Sequence, residues 1–310
     1  MVIVRVMGGL GNQMQQYALY TKLKTLGRQA ELDLSWFTDP DAQSGVLAPR
    51  ELELQRFVHL PMEVCTQKEK ERITGGSGTF GKLRRKLHLS GLYEEKEMYD
   101  PEVLQRDNAY LTGYWACTAY YADILEHLKT LFVFPAAGDP EVQEKNEHVL
   151  EQMRSGAEIS AAIHLRRGDY LDKENAGLLG GICTPAYYDG AVRLLEERFS
   201  GSQRPLHFYV FSDDLQFAAG CRFGTKGEEI TLCDWNKGAD NMLDMELMAN
   251  AQCIIAANST FSFWGGRLNL REDAVRIRPL RHRNNQIPDP AVMHGLWKGW
   301  ELVDLDGKVV

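Results

Sequence analysis

The feature that most constrains the fold is an alternation of short β-rich runs with stretches of helical spacing. Residues 2–6 form a short, largely apolar run that ends in a glycine cluster, and apolar residues at helical spacing follow over residues 12–26. Residues 30–34 then form a second β-rich run. A strand, a helix and another strand in this order make a βαβ unit, in which the strands are parallel. The N-terminus therefore predicts a parallel sheet covered by helices.

The same alternation continues through the rest of the chain. The strands predicted next are residues 109–112, 159–165, 207–211, 230–233, 253–256 and 275–277. The predicted helices are residues 119–131, 141–153, 240–251 and 260–270. Glycines punctuate residues 75–91, which predicts a loop or an insertion there. The pattern predicts an α/β protein with two Rossmann-like domains, residues 1–155 and 156–310, in which the extreme C-terminus is a candidate to pack back on the first domain.

Charge and composition restrict the partners of the chain. The 310 residues include 35 Lys and Arg against 43 Asp and Glu, for a formal net charge of -8. Because binding to nucleic-acid backbones is driven by clustered positive charge, we expect no nucleic-acid partner. No apolar run approaches the roughly 18 to 20 residues that span a bilayer, and the N-terminus lacks a signal-peptide pattern. The six cysteines are dispersed without a C-x-x-C pair. These features predict a cytoplasmic protein with reduced cysteines.

The first candidate site is the loop between the first predicted strand and its helix, Gly8-Gly9-Leu10-Gly11-Asn12-Gln13. One interpretation is a dinucleotide fingerprint with Asp33 as the ribose ligand, although Met14 stands where its third glycine would fall. A second is a tight loop whose backbone and amide side chains face a sugar, since an amide offers donors and an acceptor to hydroxyl groups. The third is a plain strand-to-helix turn with Asn12 as the N-cap.

The second candidate is the charged stretch His164-Leu165-Arg166-Arg167-Gly168-Asp169-Tyr170, which follows the predicted strand 159–165. Open α/β sheets bind ligands at the carboxyl ends of their strands. One arginine can fork onto phosphate oxygens while the other pairs with a carboxylate such as Asp169. The alternative is a surface salt-bridge cluster, which would contribute little to stability. We favour binding because binding groups concentrate in loops at strand ends.

The third candidate covers residues 257–266, which again lie between a predicted strand and a predicted helix. Ser259 or Thr260 would cap that helix, and free backbone N–H groups at its N-terminus would make an anion site assisted by the helix dipole. Core packing of Phe261 is compatible with this function. Upstream, Asp244 is either an acceptor for the N–H groups of a guanine edge or a solvated acid. Asp213 lies either at a helix N-terminus or in a site wall.

Motifs that the sequence lacks exclude several enzyme classes. There is no G-x-x-x-x-G-K-[ST], H-E-x-x-H or G-x-S-x-G pattern, so P-loop, zincin and α/β-hydrolase functions are excluded. No D-x-D motif of the kind that holds a metal at a diphosphate stands out, so we expect no metal site. Arginine and helix amides could instead stabilise a diphosphate leaving group.

These stretches resemble a known family. Residues 8–14 with 16–18, and residues 164–170, 211–214, 244–248 and 258–264, are similar in order and spacing to the motifs of the bacterial glycosyltransferase family 11 alpha-1,2-fucosyltransferases. The resemblance spans about residues 1 to 270. It implies a GT-B fold, in which two Rossmann-like domains with mostly parallel sheets face each other. The first domain would bind the acceptor and the second GDP-fucose.

The resemblance also implies an activity and roles for individual residues. The activity is inverting, metal-independent transfer of L-fucose from GDP-β-L-fucose, without a cofactor, to the 2-hydroxyl of a terminal β-galactoside on an oligosaccharide or a lipid-linked glycan. Arg166, at the β-phosphate, and Asp169 are the predicted catalytic residues, with no base assigned. The residues predicted to bind the donor are His164, Arg167, Asp213, Asp244, Asn258, Ser259, Thr260 and Phe261. The residues predicted to face the fucose or the acceptor are Gly9, Gly11, Asn12, Gln13, Tyr114 and Trp115.

Two other functions stay open at this point. An NAD-dependent oxidoreductase would use Gly9, Gly11 and Asp33, but it leaves the stretches at His164 and Asn258 unexplained. A non-catalytic nucleotide-sugar sensor would keep the donor site without turnover.

A short basic run, Lys82, Arg84, Arg85 and Lys86, is either a solvated loop or a contact with anionic lipid. Basic segments gain roughly 1 kcal/mol per charge near anionic membranes. The second interpretation predicts peripheral association with the inner face of the membrane.

Overall fold

A computed structural model describes residues 1–44, 49–76, 91–225, 227–286 and 288–310. The chain divides into two compact units, Met1–Pro135 and Ala136–Val310. Each unit contains one sheet, and all the strand pairs within both sheets are parallel. The prediction of an α/β protein with two parallel-sheet domains is confirmed.

The first unit is built on a four-stranded sheet of order β2-β1-β4-β3. Its strands are β1 (Val2–Arg5), β2 (Ala30–Asp33), β3 (Leu92–Glu94) and β4 (Ala109–Thr112). Its α-helices are α1 (Leu10–Thr25), α2 (Ser35–Thr38), α3 (Gln67–Thr74) and α4 (Leu125–Leu131). Short 3-10 helices cover Glu53–Arg56, Pro101–Gln105, Thr118–Tyr120 and Ala122–Ile124. Because β1 pairs with β4, the loops that follow these two strands are neighbours.

The second unit is built on a six-stranded sheet of order β10-β9-β8-β5-β6-β7. Its strands are β5 (Ile159–Leu165), β6 (Leu206–Ser212), β7 (Glu229–Leu232), β8 (Cys253–Ile255), β9 (Val275–Pro279) and β10 (Glu301–Val303). If β5 to β10 are renumbered as strands 1 to 6, the order becomes 6-5-4-1-2-3, which is that of a doubly wound Rossmann sheet. The strand order reverses between β5 and β8, and such folds bind ligands at the carboxyl ends of those two strands.

Helices connect the strands of the second unit. They are α5 (Pro140–Ser155), α6 (Lys173–Leu179), α7 (Pro185–Arg198), α8 (Leu215–Gly220), α9 (Leu243–Asn250), α10 (Thr260–Leu268) and α11 (Pro290–Leu296). Two 3-10 helices cover Gly168–Leu171 and Gly238–Met242.

The central strand β5 anchors the core of the second unit. All seven of its residues are buried, as expected for a parallel strand with partners on both edges. Its apolar side chains join those of β6, β8 and β9 in one cluster that includes Ile163, Phe208, Ile255 and Ile277. His164 is the polar exception near the carboxyl end of the strand.

Two strands of the structure, β3 and β10, are not among the strands predicted from the sequence. β3 and β10 have three residues each and lie at the edges of their sheets, so they are too short for an alternating pattern to show. β10 pairs with β9, so the sheet continues beyond the last predicted strand, residues 275–277. This pairing also places the extreme C-terminus in the second unit, and the expectation that it packs back on the first domain stays a prediction.

The division between the units also differs from the prediction. It falls after Pro135 rather than after residue 155, because α5 belongs to the second unit. Asn146 of this helix exchanges hydrogen bonds of 2.8 and 3.0 Å with Asn236, and Arg154 donates to Asn250 at 2.9 Å. Few residues of α5 are buried, so its sequence does not reveal which sheet it covers.

The membrane predictions are not settled by the fold. Within the described ranges, no helix has both the length and the apolar character that crossing a bilayer requires. The basic run at residues 82–86 lies outside the described residues, so its contact with anionic lipid stays a prediction.

Gly190 of α7 packs directly on the turn that follows β10. A Cβ at Gly190 would lie 2.1 Å from the carbonyl oxygen of Gly307, and a Cβ at Gly307 would lie 2.1 Å from that of Ala186. Backbone atoms cannot rotate away as a flexible side chain does. Gly307 also has a φ of +79°, which favours glycine. The two glycines therefore allow the C-terminal turn to approach α7 closely.

We expect Gly190→Ala to lower the free energy of unfolding by about 1–3 kcal/mol, the usual cost of overpacking a tight site. Gly177→Ala in α6 is the matched control, because a Cβ there meets nothing within 4 Å. Urea unfolding of the wild type and the two variants checks this expectation. Equal midpoints for the wild type and Gly190→Ala would show that the contact can relax without cost.

Candidate active site

The loop after β5 carries Arg166, which two carboxylates hold in place. Its guanidinium lies 2.6 Å from Asp169 Oδ1 and 2.9 Å from Asp213 Oδ2. Asp169 belongs to the same loop, whereas Asp213 follows the neighbouring strand β6. Burial alone would lower the pKa of Arg166, but the two carboxylates outweigh burial and raise it, so the guanidinium stays charged. With 26% of its side chain exposed, Arg166 is still accessible to a ligand.

Arg167 is turned toward the loop after β6. Its backbone N–H donates to Asp213 Oδ1 at 2.8 Å, and its Nε donates to Asp214 Oδ2 at 3.1 Å. Its guanidinium also lies 3.7 Å from the centre of the Phe217 ring. The expectation that one arginine pairs with a carboxylate is therefore confirmed, but both arginines do so. Asp213 bridges them and joins the loops after β5 and β6.

The loop after β8 ends at the N-terminus of α10. Ser259 is the N-cap residue, yet its side chain makes no capping hydrogen bond, and the first turn contains no acidic residue. The first N–H groups of a helix have no partner within it, and together with the helix dipole they attract anions. Aspartate side chains cap α5, α8 and α11 in the same unit. The N-terminus of α10 is therefore suited to an anion, and the half-buried Thr260 and Phe261 lie there.

Side chains tie the loops after β5 and β8 together. The hydroxyl of Tyr170 donates to the carbonyl oxygen of Asn258 at 3.0 Å. The rings of His164 and Phe261 lie 5.8 Å apart. The parallel register of β5 and β8 therefore brings the second and third sequence motifs to one place.

Asn258 anchors its loop instead of presenting its side chain to a ligand. Its Nδ2 donates to the carbonyl oxygens of Leu179 and His282 at 3.0 and 3.2 Å, and its Oδ1 accepts from Cys183 Sγ at 3.4 Å. Only 2% of the residue is exposed. The predicted contact between this side chain and the donor is therefore replaced by a structural role, because its polar atoms already have partners inside the protein.

His164 is neutral and lacks one hydrogen-bond partner. Burial, together with the positive charge of Arg166, lowers its pKa to about 3, so the imidazole is uncharged near pH 7. Its Nδ1 has no hydrogen-bond partner within the part of the chain that the structure describes. Buried polar atoms are normally paired, so an unpaired one invites an explanation such as a ligand or a water molecule.

A buried amide network orients Asp244 at the start of α9. Asn236 Nδ2 donates to Asp244 Oδ1 at 2.8 Å, and Trp235 Nε1 donates to Asn146 Oδ1 at 2.7 Å. Asn146 and Asn236 also bond to each other. Burial raises the pKa of Asp244 to about 7, although the N–H of Asn236 lowers it. Neither asparagine belongs to a recognisable motif, so the sequence alone does not point to them.

The carboxyl edge of the first sheet has a different chemistry. Gly9, rather than Asn12, is the N-cap of α1, and Glu53 Oε2 accepts the N–H of Leu10 at 2.8 Å. A carboxylate therefore occupies the helix end at which a phosphate would bind. Gly9 and Asn12 are half-exposed, whereas Gly11 is buried.

Gln13 points into the first unit. Its Nε2 donates to the carbonyl oxygens of Gly8 and Glu51 at 2.8 and 2.9 Å, and its Oε1 accepts the N–H groups of Glu53 and Leu54 at 2.8 and 3.2 Å. The predicted contact of this amide with a sugar is therefore wrong, because the side chain is fully buried and fixes the loop to the segment at Glu51.

Trp115 is also fully buried, so it cannot present its ring to an acceptor as predicted. It stacks on Tyr93 at 6.2 Å and meets Tyr120 edge-on at 5.6 Å. Its neighbour Tyr114 is half-exposed, and its contact with the acceptor stays a prediction.

The same edge argues against the oxidoreductase alternative. Asp33 would have to bind a ribose, but it is buried and its carboxylate lies 2.5 Å from the Tyr110 hydroxyl and 2.8 Å from Lys70 Nζ. Glu53 occupies the helix N-terminus that a pyrophosphate would need. A dinucleotide would therefore meet Glu53 at the helix end, and the oxygens of Asp33 already accept hydrogen bonds from Ser35, Tyr110 and Lys70 instead of from a ribose.

The described residues form no cluster of metal-ligating side chains. All six cysteines lie among them, and none forms a disulfide. Among those residues, no three His, Cys, Asp or Glu side chains are grouped so that they could hold a metal ion.

Comparisons with known proteins agree with the motifs. The model of glycosyl transferase family 11 matches residues 87–300. An alpha-1,2-colitosyltransferase from Escherichia coli is 28% identical over 283 residues, which are 90% of this chain and 91% of that protein. The O-antigen biosynthesis glycosyltransferase WbnK from Escherichia coli is 28% identical over 297 residues, 88% of this chain and 91% of that protein. A solved mutant of Arabidopsis thaliana FUT1 in complex with GDP is 12% identical, covers 86% of this chain and 68% of its own, and has a TM-score of 0.47.

The family match extends over more than half of the chain and includes the stretches at Arg166, Asp213, Asp244 and Ser259. The chain therefore belongs to glycosyl transferase family 11 and is a glycosyltransferase.

Proposed function

We propose that the enzyme transfers L-fucose from GDP-β-L-fucose to the 2-hydroxyl of a terminal β-galactoside, with inversion and without a metal ion. The observation that carries this proposal is that the loop bearing Arg166 contacts the loop leading to the uncapped N-terminus of α10, where the second sheet reverses its strand order. A diphosphate is favoured by both features. Colitose is the second candidate for the donor sugar, since one Escherichia coli relative is named for its transfer.

The diphosphate is the leaving group, and the second unit offers it two kinds of donor. Arg166 is held by Asp169 and Asp213 but has five N–H groups, more than these contacts use. The backbone amides at Ser259, Thr260 and Phe261 supply neutral donors at a helix end. Donors that are already in position cost no reorganisation as negative charge develops on GDP.

The guanosine would contact His164 and Asp244. A guanine edge presents N–H donors, and one carboxylate can accept two of them. Asn236 fixes one oxygen of Asp244, which limits the directions from which a base can approach. The neutral imidazole of His164 brings no positive charge, and its unpaired Nδ1 can bond to the nucleoside.

The acceptor would bind at the carboxyl edge of the first sheet. Carboxylates such as Glu53 occupy this edge, which disfavours an anionic ligand and suits the hydroxyl groups of a neutral sugar. Gly9, Asn12 and Tyr114 are the predicted residues that reach the surface there. A free oligosaccharide and a lipid-linked glycan share the galactoside end and fit this proposal equally.

In the transfer step, the acceptor oxygen attacks the anomeric carbon from the face opposite GDP. The bond from that carbon to the β-phosphate oxygen breaks as the new glycosidic bond forms, and the acceptor hydroxyl passes its proton to the departing diphosphate. Asp169 lies 2.6 Å from Arg166, so we assign it to orienting this arginine and not to accepting the proton. Stabilisation of the departing diphosphate by Arg166 is then the main contribution of this loop.

Release of GDP from GDP-fucose tests the proposal directly. We expect release in the presence of EDTA, stimulated by lactose or N-acetyllactosamine, because no step requires a metal. GDP-colitose in parallel identifies the preferred donor sugar. Binding of GDP without turnover of either donor would favour the nucleotide-sugar sensor, whereas absence of both binding and release would refute the donor site.

Arg166→Ala should lower kcat/KM for transfer by about 100- to 1,000-fold, as loss of a donor to a developing anion does in other enzymes. Arg271→Ala is the matched control, because Arg271 forms an exposed pair with Asp273 away from the proposed site. Thermal unfolding of both variants establishes that they are folded. Transfer by Arg166→Ala at the rate of the control would remove this residue from the mechanism.

Affinity for GDP should rise with pH as Asp244 ionises. The pKa of Asp244 in the free enzyme is raised to about 7, so the neutral carboxyl prevails below that pH and cannot accept two N–H bonds from guanine. Below the pKa we expect affinity to fall about tenfold per pH unit, since one proton must leave. Asp244→Asn should bind weakly at every pH and lack this step. Calorimetry of GDP binding to the wild type and to Asp244→Asn isolates the ionisation of Asp244, because ionisation of the GDP phosphates affects both proteins equally. Parallel dependence of the two affinities on pH would contradict the assignment.

A further inference from the structure

The turn after β4 holds Trp115 in an unusual conformation. Its φ is +53°, in the left-handed region that bulky residues rarely adopt. Its indole Nε1 is buried and has no hydrogen-bond partner among the residues described. Two unfavourable features therefore coincide at one fully buried side chain. Strain of this kind persists only where the surrounding structure enforces it, and such residues cluster at functional sites.

Glu95, which follows β3, enforces this conformation. Its carboxylate accepts the N–H of Tyr114 at 2.7 Å and the N–H of Trp115 at 3.1 Å. Its own N–H donates to the carbonyl oxygen of Thr112. A Cβ at Gly113 would lie 2.4 Å from Glu95 Cβ, so only glycine lets the two segments approach this closely. The turn is therefore held by a carboxyl group from the segment that follows the neighbouring strand β3.

Gln16 ties the same turn to the glycine loop. Its Oε1 accepts the N–H of Met7 at 2.9 Å, and its Nε2 donates to the carbonyl oxygen of Gly113 at 2.9 Å. The loops that follow β1 and β4 are thereby fixed to each other at the carboxyl edge of the first sheet, where the strand order reverses. Ligands of open α/β sheets bind at such places.

The side chain that this arrangement presents is that of Tyr114. Gly113 and Trp115 are buried on either side of it, whereas Tyr114 is half-exposed. A tyrosine ring offers an apolar face to the C–H side of a sugar and a hydroxyl to its oxygens. We propose that Glu95 is a positioning residue, which fixes the Gly113–Tyr114–Trp115 turn so that Tyr114 contacts the galactoside acceptor. The inference rests on the proposed function and names a determinant of acceptor binding.

The test measures acceptor and donor separately in Glu95→Gln. We expect the KM for N-acetyllactosamine to rise about 10- to 100-fold, the usual effect of misplacing a substrate contact. Affinity for GDP and acceptor-independent hydrolysis of GDP-fucose should remain unchanged. Glu94→Gln is the matched control, since Glu94 is the exposed neighbour of Glu95 and should leave all three quantities as they are.

A double-mutant cycle separates positioning from a general structural role. If Glu95 acts through Tyr114, then Glu95→Gln should add nothing to the KM of Tyr114→Ala, whereas independent effects would multiply. Effects that multiply would overturn the inference. An unchanged acceptor KM in Tyr114→Ala alone would also overturn it, and this result does not depend on the folding of Glu95→Gln. A wild type that transfers fucose while Glu95→Gln keeps its acceptor KM would refute this inference and leave the proposed function standing. A wild type that neither binds GDP nor turns over GDP-fucose would refute both.

Discussion

The parallel pairing of β5 with β6 on one edge and β8 on the other is the constraint on which the proposed donor site depends. Both registers run in the same direction, so the chain leaves β5, β6 and β8 at one edge of the sheet. Three stretches far apart in sequence thereby become neighbours. Because the strand order reverses between β5 and β8, no crossover covers the gap between their loops, and a ligand can enter it.

Ion pairing then decides how the cations at this edge are used. An isolated guanidinium that is partly removed from water is unfavourable, and carboxylates placed beside it offset that cost. Asp213 contacts both arginines, since it accepts the backbone N–H of Arg167 and pairs with the guanidinium of Arg166. The two arginines consequently differ in function: Arg167 ties two loops together, whereas Arg166 remains partly exposed beside the helix end. An incoming diphosphate would join an arginine whose orientation is already fixed.

Both sheets are parallel and reverse their strand order at one point, but the two points differ in chemistry. In the second unit, the helix that begins beside the reversal point lacks a capping side chain and an acidic first turn. In the first unit, Glu53 accepts a backbone N–H at the start of the corresponding helix α1. Glu95 likewise accepts backbone N–H groups of the turn after β4. Backbone N–H groups are therefore offered to an anion in one unit and neutralised by carboxylates in the other. This difference in charge accords with a nucleotide diphosphate on one unit and a neutral sugar on the other.

The sequence by itself determined the α/β class, most of the strands and the motifs at Arg166 and Ser259, because apolar runs, glycines and charged strand ends are local signals. Edge strands of three residues and the placement of α5 gave no such signal. Only the tertiary structure decided which polar side chains face outward. The sequence predicts that the amides of Gln13 and Asn258 bind ligands, yet each amide forms hydrogen bonds with backbone groups tens of residues away. Asn236 and Glu95 belong to no motif for the same reason: a hydrogen-bond partner that is distant in sequence exists only once the chain has folded.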